Sequence, residues 1–176
     1  IYCNPASTSY AITLKKNIIT GNSKKIDGIR ADSGKLILSS NTISSCSRAI
    51  ILSSKVKGTV YPNTFKKNTY NNVKVNSSYV NTLTVTSLSG KSKSAKTATL
   101  NWKKLSSASG YVVYRSASKN GSYTKISTIK KNKTITYKDS KLKRKSTYYY
   151  KIVPYTTIGK TTVYGLDSKI VSIKIK

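Results

Sequence analysis

Up to about residue 80 the apolar positions fall in short clusters that return at a nearly constant interval; beyond about 82 they alternate with polar positions. Asn17, Asn41 and Asn63 recur at intervals of 24 and 22, each followed two positions later by an apolar residue: Ile19, Ile43 and Phe65. A second apolar cluster follows each time, at Ile26-Asp27-Gly28-Ile29, Ala49-Ile50-Ile51-Leu52 and Val73-Lys74-Val75. Gly34, Lys55-Val56-Lys57-Gly58 and Asn71-Asn72 read as turns between them. A period near 22 residues is too short for a pair of helices. It fits one coil of a parallel β-solenoid, in which each coil buries its apolar side chains only by stacking on the next. Asn repeated at one corner has a mechanism, because its amide can bond the identical amide one coil away.

Later in the chain, Ala98, Leu100 and Trp102 share one face of a strand predicted over 97–102. Further strands are predicted at 83–85, 111–114, 126–129, 135–137, 148–152 and 171–175, with an Asn120-Gly121 turn signal inside 118–122. Seven short strands at regular spacing predict an antiparallel sandwich.

Composition agrees. The chain has no His, Met, Glu or Gln, and Val, Ile and Thr are abundant. Three good helix formers are thus missing, and the β-branched residues suit a pleated, half-buried surface. The absence of His removes the Ser-His-Asp and Cys-His pairs and Cys₂His₂ zinc sites. Four Asp leave little for a calcium cage or a carboxylate acid/base pair. No cofactor is expected, and no run of 18 apolar residues is present to span a membrane.

On Asn17-Ile18-Ile19, Gly28-Ile29, Asn41-Thr42-Ile43, Ala49-Ile50, Asn63-Thr64-Phe65 and Asn72-Val73, the first stretch resembles the right-handed parallel β-helix of the pectate-lyase-like superfamily. The leucine-rich repeat has a similar period, but Leu36, Leu38 and Leu52 are too few for it. The second stretch resembles a fibronectin type III domain. Ala98-Thr99-Leu100-Asn101-Trp102 stands for that family's second strand with its core Trp, and 110–116 for the third. Leu142, Ser146 and Tyr148 fit the Leu…Thr-x-Tyr corner, which implies that Tyr148 bonds back to upstream backbone. Arg144 departs from the pattern, since the family often carries Pro there. The expectation is an all-β chain: terminal coils of a right-handed parallel β-helix over 1–80, then a seven-stranded fibronectin type III sandwich over 81–176. The sandwich or the Tyr79-Val80 segment is expected to cap the open solenoid end, and further coils are expected upstream of Ile1. The second resemblance implies a module of a secreted or cell-surface bacterial protein.

Pectate-lyase-like enzymes place acidic and basic residues on one outer face. Here that stretch offers only Asp27, Asp32, Arg30 and Arg48, and both Asp read most simply as turn residues. No catalytic or metal-ligating residue is assigned. Cys3 and Cys46 are expected as buried free thiols rather than a bridge, although spacing alone leaves the bridge open.

The charge calls for a partner. Lys and Arg total 33 against 4 Asp, for a formal charge of +29, and only four of the basic residues are Arg. Lys is a hydrated point charge, poor at reading base edges, so sequence-specific nucleic-acid recognition is not expected. Two readings stand side by side: a lysine surface that keeps β edges soluble, or attraction to a polyanion. The polyanion would be an anionic polysaccharide, a cell-wall polymer or a host glycan. The candidate contacts are Lys130, Lys131, Lys133, Lys141, Lys143, Arg144 and Lys145, with Tyr149 pointing outward for stacking. A non-catalytic docking region is the leading expectation. The alternatives are a fragment of a polysaccharide lyase or hydrolase with catalytic coils upstream, and a module recognising a host protein.

Overall fold

The computed structural model describes residues 1–3, 11–21 and 26–176, and no helix occurs among them. Two compact units emerge: residues 1–82 with 156–164, and residues 83–155 with 165–176. The expectation ran a single sandwich through residue 176; instead 156–164 groups with the first unit.

The first unit opens with β1 (Tyr2–Cys3), β2 (Ala11–Lys15), β3 (Ile18–Thr20) and β4 (Ile29–Ala31). It continues through β5 (Lys35–Ser39), β6 (Thr42–Ser44), β7 (Arg48–Leu52), β8 (Lys57–Val60), β9 (Thr64–Lys66), β10 (Tyr70–Val75) and β11 (Ser78–Val80). Three parallel ladders form: β1-β4-β7-β10, β2-β5-β8 and β3-β6-β9. Register stacks like on like. Ile29, Ile50 and Val73 form one buried column and Ala31, Leu52 and Val75 another, while Leu38 lies beside Val60. Cys3 sits opposite Ala31 at the head of the second column and serves there as a small apolar residue.

The asparagines work as the spacing predicts. Asn41 is fully buried. Its Oδ1 accepts from the backbone N–H and the Nδ2 of Asn17, both at 3.0 Å. Its Nδ2 donates to Leu14 O at 3.0 Å and to Asn63 Oδ1 at 2.9 Å. Two further corners escaped the sequence reading. Cys46 N–H donates to Asn68 Oδ1 at 2.9 Å, and Ser54 N–H to Asn76 Oδ1 at 3.1 Å. Lys16 and Ser40, just before Asn17 and Asn41, have φ of 58° and 55°, the left-handed bend that turns each corner. Pro62 precedes Asn63 and its ring fixes φ negative, so that corner bends differently.

Two predicted turns are strand instead: Lys57 and Gly58 belong to β8, and Asn71-Asn72 forms a bulge in β10. β11 folds back antiparallel on β10, so the Tyr79-Val80 segment covers the edge of the first ladder.

In the second unit β12 (Leu88–Lys91), β13 (Ala98–Trp102) and β16 (Thr136–Asp139) form one antiparallel sheet. β14 (Gly110–Ser116), β15 (Thr124–Ile129), β17 (Thr147–Ile158) and β19 (Val171–Lys174) form the other, in the order β15-β14-β17-β19. Ala98, Leu100, Trp102, Tyr111, Val113, Tyr150, Ile152 and Ile173 meet in the core between them. Trp102 and Tyr111 pack edge to face with ring centroids 5.3 Å apart. The strand predicted at 83–85 is absent. Leu83 and Val85 are buried outside any strand, and the edge strand is β12.

The remaining strand, β18 (Thr161–Tyr164), belongs to the first unit and pairs parallel with β8. Thr161 is fully buried, and its hydroxyl donates to Val56 O at 2.9 Å. A Cβ on Gly58 would meet Thr161 Oγ1 and Cγ2 at 2.9 Å, so Gly is the residue that lets β18 approach.

Candidate functional site

The β16–β17 loop is built around Leu142, which is buried in the core of the second unit. Leu142 N–H donates to Lys96 O at 3.0 Å, Lys145 N–H to Ile175 O at 2.9 Å, and Lys143 N–H to the Tyr148 hydroxyl at 3.3 Å. Lys141 and Lys145 have φ of 60° and 59°, and Lys96 has 59°. This frame opens a shallow concavity lined by Lys96, Lys141, Leu142, Lys143, Arg144 and Tyr148. Four cations thus share a depression that no carboxylate lines. Lys96 was not singled out from sequence. It lies 45 positions before Lys141, and only the long-range bond from Leu142 brings it in.

Lys130, Lys131 and Lys133 are exposed on the β15–β16 loop. That loop is tied to the other end of β16, through Trp102 N–H to Ile135 O at 3.0 Å and Tyr111 Oη to Asn132 O at 3.3 Å. The seven predicted cations therefore form two groups at opposite ends of β16 rather than one patch. Tyr149 is at neither place. It lies on β17 beside Ser116 and Ser172, half-buried, while Tyr150 points the other way into the core.

In the first unit, register aligns Tyr2, Arg30, Ile51, Lys74 and Tyr79 in one row across β1-β4-β7-β10-β11. Lys74 Nζ lies 5.4 Å from the Tyr79 ring centroid, and Tyr2 Oη donates to Asp32 Oδ2 at 2.9 Å. That bond, with Asp32's charge, raises the Tyr2 phenol pKa. Arg30 reaches Asp32 at 3.5 Å, and Asp27 lies between Arg30 and Arg48 at 3.9 and 3.8 Å. Asp27, Asp32, Arg30 and Arg48 are thus neighbours. Each carboxylate is paired with arginine.

The other two aspartates are also occupied. Lys151 Nζ is 2.6 Å from Asp167, and Arg115 Nη1 is 3.0 Å from Asp139 Oδ2. Tyr150 Oη donates to the same Asp139 oxygen at 3.0 Å. Burial, reinforced by the charge and bond of Asp139, holds the Tyr150 phenol well above its ordinary pKa. Among the described residues no three His, Cys or Asp side chains gather as metal donors. Cys3 and Cys46 are free and buried, and burial raises the Cys3 thiol pKa. Among the described residues no helix is long and apolar enough to cross a membrane.

No family model and no curated protein matches the chain. Solved structures do. A Fn3-like protein from Clostridium thermocellum is 30% identical, with 51% of this chain and 88% of that chain covered and a TM-score of 0.44. The second unit is fibronectin type III-like. The sixth fibronectin type III domain of human fibronectin type III domain containing protein 3 is 18% identical, covering 55% of this chain and 87% of that one, TM-score 0.45. The FN1–FN3 domains of chicken CNTN1 are 18% identical, covering 59% and 34% respectively, TM-score 0.47. In the fibronectin type III-like unit, the bond between Tyr148 and Lys143 is the backward reach that the corner residue was expected to make.

Proposed function

We propose that the chain is a non-catalytic binding region of a secreted or cell-surface bacterial protein. Its first unit is read as terminal coils of a right-handed parallel β-helix and its second as a fibronectin type III-like module. Lysine-rich surfaces then hold an anionic polysaccharide, cell-wall polymer or host glycan. Three parallel ladders with a period near 22 residues and an internal asparagine column support the β-helix reading. The fate of the carboxylates carries the binding reading. All four Asp are engaged, by Arg30, Arg48, Arg115 and Lys151, while the chain holds 33 basic residues. The charge of the other cations is met only by ions or by a partner from outside the chain. Chromatography on immobilised polyanion tests this. Retention at low salt should vanish as salt rises, with log K falling against log salt at a slope steeper than about −3. Salt-insensitive or absent retention would count against it.

A fragment of a polysaccharide-active enzyme is the second reading, favoured by the meeting of Asp27, Asp32, Arg30 and Arg48 beside exposed Tyr2 and Tyr79. Both Asp are held in ion pairs with Arg, and no further carboxylate stands beside them to complete an acid/base pair. Such a face grips a sugar without cleaving it, and turnover of acidic polysaccharide by this chain would reverse the order of the two readings.

A further inference from the structure

We infer that the concavity formed by Lys96, Lys141, Lys143, Arg144 and Tyr148 is an oxyanion site for the phosphate or sulfate groups of a polyanion. The inference rests on the polyanion-binding reading and gives it an address and a chemistry. Its charge is uncompensated from within: of the second unit's two aspartates, Asp139 is held by Arg115 and Tyr150, and Asp167 by Lys151. Four cations in one depression repel one another, and an anion entering it relieves that repulsion.

The frame is pre-organised. Leu142 anchors the loop in the core, and three backbone bonds, to Lys96 O, Ile175 O and the Tyr148 hydroxyl, fix its course. Lys96 and Lys141 hold left-handed backbone, which a non-glycine residue adopts only where its surroundings impose it. The Tyr148 hydroxyl accepts from Lys143 N–H, so its own hydrogen is available to an acceptor in the depression. Arg115 lies 5.4 Å from that ring's centroid and holds the ring in place by a cation–π contact.

The donor set selects the ligand. Arg144 offers a planar fork, the three lysines offer point charges, and the phenol offers one directed O–H. Together they surround a group with three or more acceptor oxygens better than a carboxylate, which presents two in one plane. A neutral sugar gives the four cations nothing. Lys130, Lys131 and Lys133, at the other end of β16, include no Arg, so they contribute general attraction only.

The test compares the whole chain with two variants of equal charge change, Lys143→Ser/Arg144→Ser and Lys130→Ser/Lys131→Ser, by calorimetry at one fixed salt concentration. The probes are poly(glycerol phosphate), dextran sulfate and polygalacturonate. Trp102 emission checks that each variant is folded. The expected result is a loss of roughly tenfold or more for the phosphate or sulfate polymer in the first variant, and less than about threefold in the second. Whichever of those two polymers binds tighter names the natural source. Equal losses in both variants, or polygalacturonate binding as tightly as the other two, overturn the site while leaving general polyanion binding intact. No binding of any polymer by the unaltered chain overturns both.

Discussion

Asn41 is fully buried, yet both atoms of its amide have partners in the preceding and following repeats. Replacing it with Leu strands the Asn17 N–H and the Leu14 carbonyl, at about 1–3 kcal/mol each. Asn41→Leu should therefore lower stability by roughly 3 kcal/mol or more, read as a fall in urea midpoint. The same change at half-buried Asn63 strands the backbone N–H and one amide hydrogen of buried Asn41, so it should cost about 2 kcal/mol or more. This column was legible because one residue type repeats. The second was not, because Cys46 stands where Asn68 stands 22 residues later. With Tyr149 pointing outward, alternation puts Tyr150 on the core face, but its bond to Asp139 joins elements that nothing in the sequence pairs. Its phenol pKa is raised by burial first, so the folded state keeps a proton that the unfolded chain releases from about pH 10. Stability from this group is complete below that pH and declines above it, where the unfolded state binds fewer protons. Tyr150→Phe should make the fall in urea midpoint between pH 9 and 11 shallower than in the unaltered chain; a parallel decline would assign the effect to other tyrosines.

β18 is an element the sequence reading missed, and the reason is distance: Thr161 bonds Val56 across 105 positions. Parallel pairing of a four-residue strand leaves no local signal, since Thr161-Thr162-Val163-Tyr164 reads equally well as the edge of a sandwich. Thr161→Val conserves shape and removes only the hydroxyl, leaving the Val56 carbonyl without its donor. A loss of about 1–2 kcal/mol is expected. Gly58→Ala should cost a comparable amount or more, because the added methyl displaces Thr161 itself. If the double variant costs no more than the larger single one, the two residues act as one contact, which a double-mutant cycle measures directly. The periodic strands fared better. Their apolar columns are dictated residue by residue, so β4, β6, β7 and β10 were visible as clusters, whereas β12 was mistaken for Leu83 and Val85, which are buried outside any strand.

The charge of the whole chain was evident from composition, but its distribution was not. A run such as Lys141-Leu142-Lys143-Arg144-Lys145 does not reveal that Lys96 joins it, nor that Lys130, Lys131 and Lys133 end up at the other end of β16. With +29 and every carboxylate engaged, self-repulsion destabilises the folded state most where screening is weakest. Raising NaCl from about 10 to 150 mM shortens the Debye length from about 30 to 8 Å, so the melting temperature should rise. A bound polyanion acts differently. It stabilises through mass action, by about 2.7 kcal/mol when its free concentration is 100 times its dissociation constant, and NaCl weakens it. At low salt the polymer should therefore raise the melting temperature more than NaCl of equal ionic strength, and that advantage should shrink as NaCl is added. Screening and binding thus give opposite salt trends in one calorimetric series. A polymer that did no more than its ionic strength predicts would mean that the lysines serve solubility and hold nothing.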